Sequence, residues 1–245
     1  LAHIAACDCR KRSLGDCDMP PELSHIDHWI FDLDNVLYPV ECDLFALIDI
    51  RMGEYIAQAL DCDLVEARKI QKGFFHDHGT TLAGLMHHHG TDPTDFLDFV
   101  HDIEMDRLTP APLVRAAIEA LPGEKLVFTN ADRPYAQKVL ERRGLDGLFH
   151  QMHDIHDTGL IPKPQDGAYH SMITATGIDP ARALFVEDTA RNLRPAKDLG
   201  MTTVWINTGA EWAGREHDPA YIDHEITDLE SWVTGLHKAK EEQPT

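Results

Sequence analysis

Asp32 and Asp34 stand two residues apart at the end of an apolar run, Trp29-Ile30-Phe31. Side chains at that spacing share a face if the strand continues, and a turn after Asp32 would also let both reach one site. Paired carboxylates can divide labour, one ionised as nucleophile and the other, with a raised pKa, acting as acid and then base. Taken alone, the pair reads equally well as a solvated strand end. Three later points add to it. Thr129-Asn130 closes a second apolar run just before a helical pattern near Pro134, offering a hydroxyl and backbone N–H groups to an anion. Lys163 stands between Pro162 and Pro164 ahead of another helical pattern, and Glu187-Asp188 ends a further run before a helix near Arg191. Carboxylate clusters on two strands suit Mg2+, which takes oxygen ligands and keeps several waters.

Other polar and aromatic features favour plainer readings. His87-His88-His89 resembles a metal tract, but three consecutive residues on a helix spread around its circumference and cannot all face one ion. Arg133 and Arg191 could touch phosphate, yet surface and helix-end roles are commoner for such residues. Phe74, Phe75 and Tyr38 could stack on a base; Tyr38 is the best placed, because it directly follows the first carboxylate loop. Cys7, Cys9, Cys17, Cys42 and Cys62 form an odd set without a CxxC pair, which supports neither a disulfide framework nor a zinc ribbon.

The elements that must position these groups alternate along the chain. Strands are expected at 29–34, 125–130 (KLVFTN), 183–188 (ALFVED) and 202–207 (TTVWIN), with a weaker one at 149–155. Helical patterns at 111–120, 134–143, 164–176 and 191–199 lie between them, the last three stopping at Gly144, Gly177 and Gly200. Such alternation predicts an α/β fold, a mostly parallel sheet with helices on both faces. Ligands bind outside the carboxyl ends of strands in these sheets, which is where the polar residues fall. Residues 41–108 break the pattern with a helical block, including an apolar stripe of Leu44, Ile48, Met52 and Ile56. Inserted after the first strand, the block would overlie the carboxyl edge as a lid.

The 245 residues, 43% of them hydrophobic, suffice for a full core, and the formal charge of -20 argues against a nucleic-acid polymer as partner. No apolar stretch reaches the roughly 18 residues of a membrane span, and the first residues lack a signal-peptide pattern, so a cytoplasmic setting is the default. Residues 1–24 show little apolar periodicity and are expected to be a disordered extension, with Met19 as a candidate start; 237–245 reads as a polar tail. The sequence specifies no oligomeric state.

The four pieces together, in this order, resemble the four motifs of the haloacid dehalogenase superfamily of phosphohydrolases. They are Asp32-Leu33-Asp34-Asn35-Val36-Leu37-Tyr38-Pro39, Phe128-Thr129-Asn130, Lys163-Pro164, and Val186-Glu187-Asp188 with Asn192 after it. Within the superfamily the chain is most similar to the pyrimidine 5′-nucleotidase-like group, on Asp32-Leu33-Asp34-Asn35 with Leu37-Tyr38-Pro39, on the cap sequence from His78-Gly79-Thr80-Thr81 to Leu85, and on Phe128-Thr129-Asn130-Ala131. One departure is Val36, where the family usually has threonine; loss of that hydroxyl is expected to slow turnover without abolishing it.

The resemblance implies a Rossmann-like catalytic core over 25–40 and 109–236, a helical cap over 41–108, and a Mg2+-dependent phosphatase acting on a small phosphorylated metabolite. Asp32 would be nucleophile and metal ligand. Asp34 would be acid and base and bind the metal through its carbonyl; Asp188 would ligate directly and Glu187 directly or through water. Thr129, the Asn130 backbone and Lys163 would hold the phosphate oxygens. Asp34 and the Glu187-Asp188 pair count against a dehalogenase of the same fold. A phosphomutase needs the same residues and differs in how well water is excluded. A non-catalytic phosphate binder would be favoured by a missing catalytic residue, and Val36 is the sole, ancillary departure.

Overall fold

The computed structural model describes residues 19–210, 213–214 and 217–237. Six short strands form one parallel sheet in the order β3-β2-β1-β4-β5-β6. They are β1 (His28–Phe31), β2 (Glu124–Phe128), β3 (Gln151–His153), β4 (Ala183–Glu187), β5 (Thr202–Ile206) and β6 (His224–Ile226). The sheet is buried on both faces, so its central strands are almost wholly apolar and successive side chains enter opposite cores. Trp29, Phe31, Val127 and Val186 point into one core; Ile30, Leu126, Phe128 and Phe185 point into the other.

The first core is covered by α5 (Pro112–Ala120), α6 (Arg133–Arg143) and α9 (Leu229–Gly235). The second is covered by α7 (Asp166–Thr176) and α8 (Leu193–Asp198). The expected α/β class with helices on both faces is what the chain adopts. β6 had no sequence signal, because it is three residues long and none of them is buried. The expected strand at 29–34 stops at Phe31, where the chain turns. In the N-terminal stretch, residues 21–23 form a helical turn and Leu23 is buried in the first core; residues 1–18 and 238–245 lie outside the described residues.

β6 is tied to the sheet by Asp223. Its carboxylate takes both Lys197 Nζ contacts, at 2.6 and 2.8 Å, and the Thr203 N–H at 3.0 Å. Partial burial works against the charged form, but Lys197 and the Thr203 N–H outweigh it and hold the carboxyl below its ordinary value. A lowered folded-state pKa gives stability that is full above the unfolded value, about 3.9, and is lost as pH falls through the folded value. The drop in thermal midpoint between pH 5 and pH 3 is therefore expected to be smaller for Asp223→Asn than for the unaltered protein. Equal drops would exclude this clamp as an acid-labile contact.

Between β1 and α5 lie four helices, α1 (Leu44–Leu60), α2 (Leu64–His78), α3 (Thr81–His89) and α4 (Pro93–Val100). Asp63, Thr80 and Asp92 cap the last three by accepting N–H bonds from the first turn. The expected stripe on α1 buries Leu44, Ile48 and Ile56, while Met52 is half-buried. α2 and α3 approach closely because Gly84 has no side chain: a Cβ there would lie 2.3 Å from Phe74 Cγ and 2.4 Å from Phe74 Cβ. Phe74 cannot relieve that overlap by rotating about χ1, since its own Cβ is involved. Gly84→Ala is expected to destabilise by about 1–3 kcal/mol despite better helix propensity. Urea unfolding that shows an unchanged midpoint would refute the close packing.

Candidate active site

Strand register brings the polar strand ends together. Phe31 pairs with Val127 on one side and Val186 on the other, so Asp32, Phe128 and Glu187 follow at one level on three adjacent strands. After β1 the chain reverses through Asn35, a left-handed residue with φ of 57°, a conformation that asparagine tolerates better than most. The reversal carries Asn35 Nδ2 to Asp188 Oδ2, where it donates at 3.0 Å. Val36 is buried among apolar residues, and backbone bonds from Val36 and Leu37 N–H to Leu33 O hold the loop.

Asp32, Asp34, Thr129, Asn130, Lys163, Glu187 and Asp188 all line one cavity of about 580 Å³, together with Arg191 and residues of α1–α4. Lys163 is 1% exposed and lies between two acids, with Nζ 2.8 Å from Asp32 Oδ1 and 2.7 Å from Glu187 Oε2. It also donates to Phe128 O at 3.0 Å. Burial disfavours its charge, but Asp32 and Glu187 outweigh burial and raise its pKa, keeping the ammonium protonated. Asn130 fixes the loop that carries it: Lys163 N–H donates to Asn130 Oδ1 at 2.8 Å, and Asn130 Nδ2 donates to Lys163 O at 3.2 Å. Thr129 Oγ1 accepts from Ala131 N–H at 3.0 Å. Its own hydroxyl hydrogen is a further donor group.

Ligand oxygens of Asp32, Glu187 and Asp188 lie within 4.8 Å of one another, the only such group of three or more metal-type side chains among the described residues. Burial raises the pKa of each, and Asp188, also facing Asp32, is pushed up to about 7. Three buried carboxylates cluster here, and the one buried ammonium among them pairs with two, Asp32 and Glu187. That surplus of negative charge on hard oxygen donors fits a divalent cation. Glu187 uses both oxygens within the protein, one for Lys163 and one accepting the Thr189 N–H at 3.1 Å. Of the two modes expected for it, contact through water leaves these bonds intact.

Asp34 is held differently. The Tyr38 hydroxyl donates to its Oδ1 at 2.6 Å and the Tyr135 hydroxyl to the same oxygen at 2.8 Å. Burial and the Asp34 charge raise both phenol pKa values far above normal, so both remain donors. Tyr38 is fully buried and does not line the cavity, in line with the plainer reading of it as a core residue and not a ring that stacks on a base. Phe75 does line the cavity, beneath the Arg191 guanidinium at 4.4 Å from its ring centre. Arg191 also donates to Phe75 O and Gly79 O, linking the loop after β4 to the end of α2. Arg133 turns to Met152 O and Asp157, away from the cavity, and Phe74 stacks on His88. Tyr135 had no sequence signal beyond its place in an amphipathic helix.

Residues 26–200 match the sequence pattern of the haloacid dehalogenase-like hydrolases. Phosphate metabolism protein 8 of Saccharomyces cerevisiae is 24% identical over 202 residues, 74% of this chain; the chain spans 63% of that protein's length. Among solved structures, a HAD phosphatase from Thermococcus onnurineus superposes with a TM-score of 0.58 at 20% identity, over 86% of this chain and 98% of that one. The HAD-hydrolase YfnB from Bacillus subtilis, bound to magnesium, superposes with a TM-score of 0.57 at 16% identity, over 86% and 98%. These structural likenesses concern the fold. With the pattern covering the cavity-lining loops from Asp32 to Asp188, the chain belongs to the haloacid dehalogenase-like hydrolases.

Proposed function

We propose that the protein is a Mg2+-dependent phosphatase that hydrolyses a small phosphate monoester, a pyrimidine nucleoside 5′-monophosphate, through an aspartyl-phosphate on Asp32. The observation that carries this reading is the convergence of Asp32, Asp34, Thr129, Lys163 and Asp188 on one cavity whose buried acids exceed its buried cations. Phosphoryl transfer needs in-line positioning and neutralisation of oxygen charge more than it needs covalent help. Asp32 and Asp188, with the Asp34 carbonyl and Glu187 through water, would hold the ion, which when bound neutralises phosphate oxygens that Asp32 would otherwise repel.

The Asp32 carboxylate attacks phosphorus as the bond from phosphorus to the leaving oxygen breaks, and Asp34 gives that oxygen its proton. A water then attacks the aspartyl-phosphate and passes a proton to Asp34. The bond to Asp32 breaks, releasing inorganic phosphate and restoring both aspartates. Lys163, Thr129 and the Asn130 backbone hold the non-bridging oxygens meanwhile. Helices α1–α4 act as the cap: they line the cavity opposite the sheet with Phe45, Ile48, Phe75 and Leu82, a partly apolar wall suited to the organic part of the ester.

A phosphate-release screen with Mg2+ over nucleoside monophosphates, sugar phosphates and phosphoglycolate tests the reading. Release is expected, abolished by chelation and greatest with UMP or CMP. Preference for a sugar phosphate or phosphoglycolate would overturn the substrate class, and no release from any monoester would overturn the phosphatase.

A further inference from the structure

We propose that Tyr38 and Tyr135 are positioning residues for the acid–base carboxylate: their hydroxyls pin Oδ1 of Asp34 and leave Oδ2 as the oxygen that meets the leaving group. The inference rests on Asp34 serving as the acid in the reading above. A carboxylate oxygen offers two lone-pair directions, and here two phenols take up one oxygen, at 2.6 and 2.8 Å. The two hydroxyls lie 3.5 Å apart, so the three oxygens form a closed triangle. A proton carried by Asp34 then belongs on Oδ2, because Oδ1 is already an acceptor twice over.

The phenols are themselves immobile. Tyr38 is 0% and Tyr135 1% exposed, which leaves neither room to swing away. The Tyr135 ring stacks on His101 at 4.2 Å and 15°, and its N–H donates to Asp132. His101 Nδ1 in turn lies 2.9 Å from Asp132 Oδ1. His101 directly follows α4, so the last helix of the insertion clamps the ring that holds the acid. Val36, two residues after Asp34, offers no hydroxyl of its own. Neither tyrosine lines the cavity, so both act on the reaction through Asp34 and not on the substrate. The competing role is structural: a buried phenol needs an acceptor, and Asp34 supplies one.

Leaving-group chemistry separates the two roles. The alkoxide of UMP needs a proton as it departs, whereas the nitrophenolate of p-nitrophenyl phosphate leaves without one. The value of kcat/KM covers only the steps through aspartyl-phosphate formation, so it reports the acid and not the later base. For the Tyr38→Phe/Tyr135→Phe double variant, kcat/KM with UMP is expected to fall on the order of 10²-fold, and with p-nitrophenyl phosphate less than about threefold. Each single variant, which keeps one donor and the ring packing, is expected to show the same selectivity in smaller measure, and serves if the double variant does not fold. Equal losses with both substrates would overturn the proposal. Asp34→Asn supplies the reference. If it loses UMP activity selectively and the tyrosine variants do not, positioning by the phenols is wrong while the acid assignment stands. If Asp34→Asn shows no selectivity, the acid assignment itself fails and the inference with it.

Discussion

Asp32→Asn is expected to lower kcat by about 10⁴-fold or more, while the protein keeps its fold and, without divalent metal, loses no stability. The two halves have one cause. Asp32 is a nearly buried carboxylate beside Glu187 and Asp188, and Lys163 is the single buried ammonium shared between Asp32 and Glu187. Burial and the Glu187 charge push the Asp32 pKa above the normal value even with Lys163 beside it, so its charge is costly in this site. An amide removes one member of a carboxylate surplus and keeps an acceptor for Lys163. The amide has no free carboxylate to form the acyl-phosphate, so turnover stops. Phosphate-release rates together with thermal midpoints in chelator check this. Substantial residual turnover would refute the covalent route, and a midpoint several degrees lower would refute the account of charge surplus.

Lys163→Met is expected to cost both activity and stability, the latter by about 3–5 kcal/mol, because it leaves two buried carboxylates without their common partner. Methionine matches the length of the lysine stem, so packing against Phe128 and Phe185, which flank Nζ at 5.2 and 5.3 Å, changes little. The loss therefore reports charge and not volume. For a domain of this size such a change lowers the thermal midpoint by roughly 2–4 °C per kcal/mol. Adding Glu187→Leu to Lys163→Met is expected to return part of the lost stability, since a buried acid and its missing partner are then both gone, but none of the activity. Urea denaturation of the single and double variants decides this. A double variant no more stable than Lys163→Met alone would show that the destabilisation does not come from the stranded Glu187.

The unequal stability effects expected at Asp32 and Lys163, none at the first and a large loss at the second, express one balance, too many acids for the cations present. That balance was partly legible in the residues themselves. Apolar runs ending in Asp32, Thr129 and Glu187, each followed by a turn or helix, dictated a parallel sheet with its polar groups at one edge, because a strand buried on both faces must be apolar throughout and can become polar only where it ends. The helical block between β1 and β2 was legible in the same way, from the period of Leu44, Ile48 and Ile56.

What the chain could not announce was pairing across distance. Tyr135 meets Asp34 across 101 residues, and Lys163 meets Asp32 and Glu187 from a loop with no periodic pattern. Tyr38 read more readily as a core ring than as a ring for a substrate, but that its hydroxyl donates to Asp34 was not legible, because its direction is set by the turn after β1 and by α6 packing over it. Glu187 was read as a metal ligand either directly or through water, and the residues that engage its oxygens, Lys163 and Thr189, could not be read from the sequence. Local sequence determined which residues stand at the sheet's edge, since burial and backbone period act over a few residues. Only the tertiary structure decided which of those groups face one another, since hydrogen bonds between side chains depend on register and helix packing that no local pattern encodes.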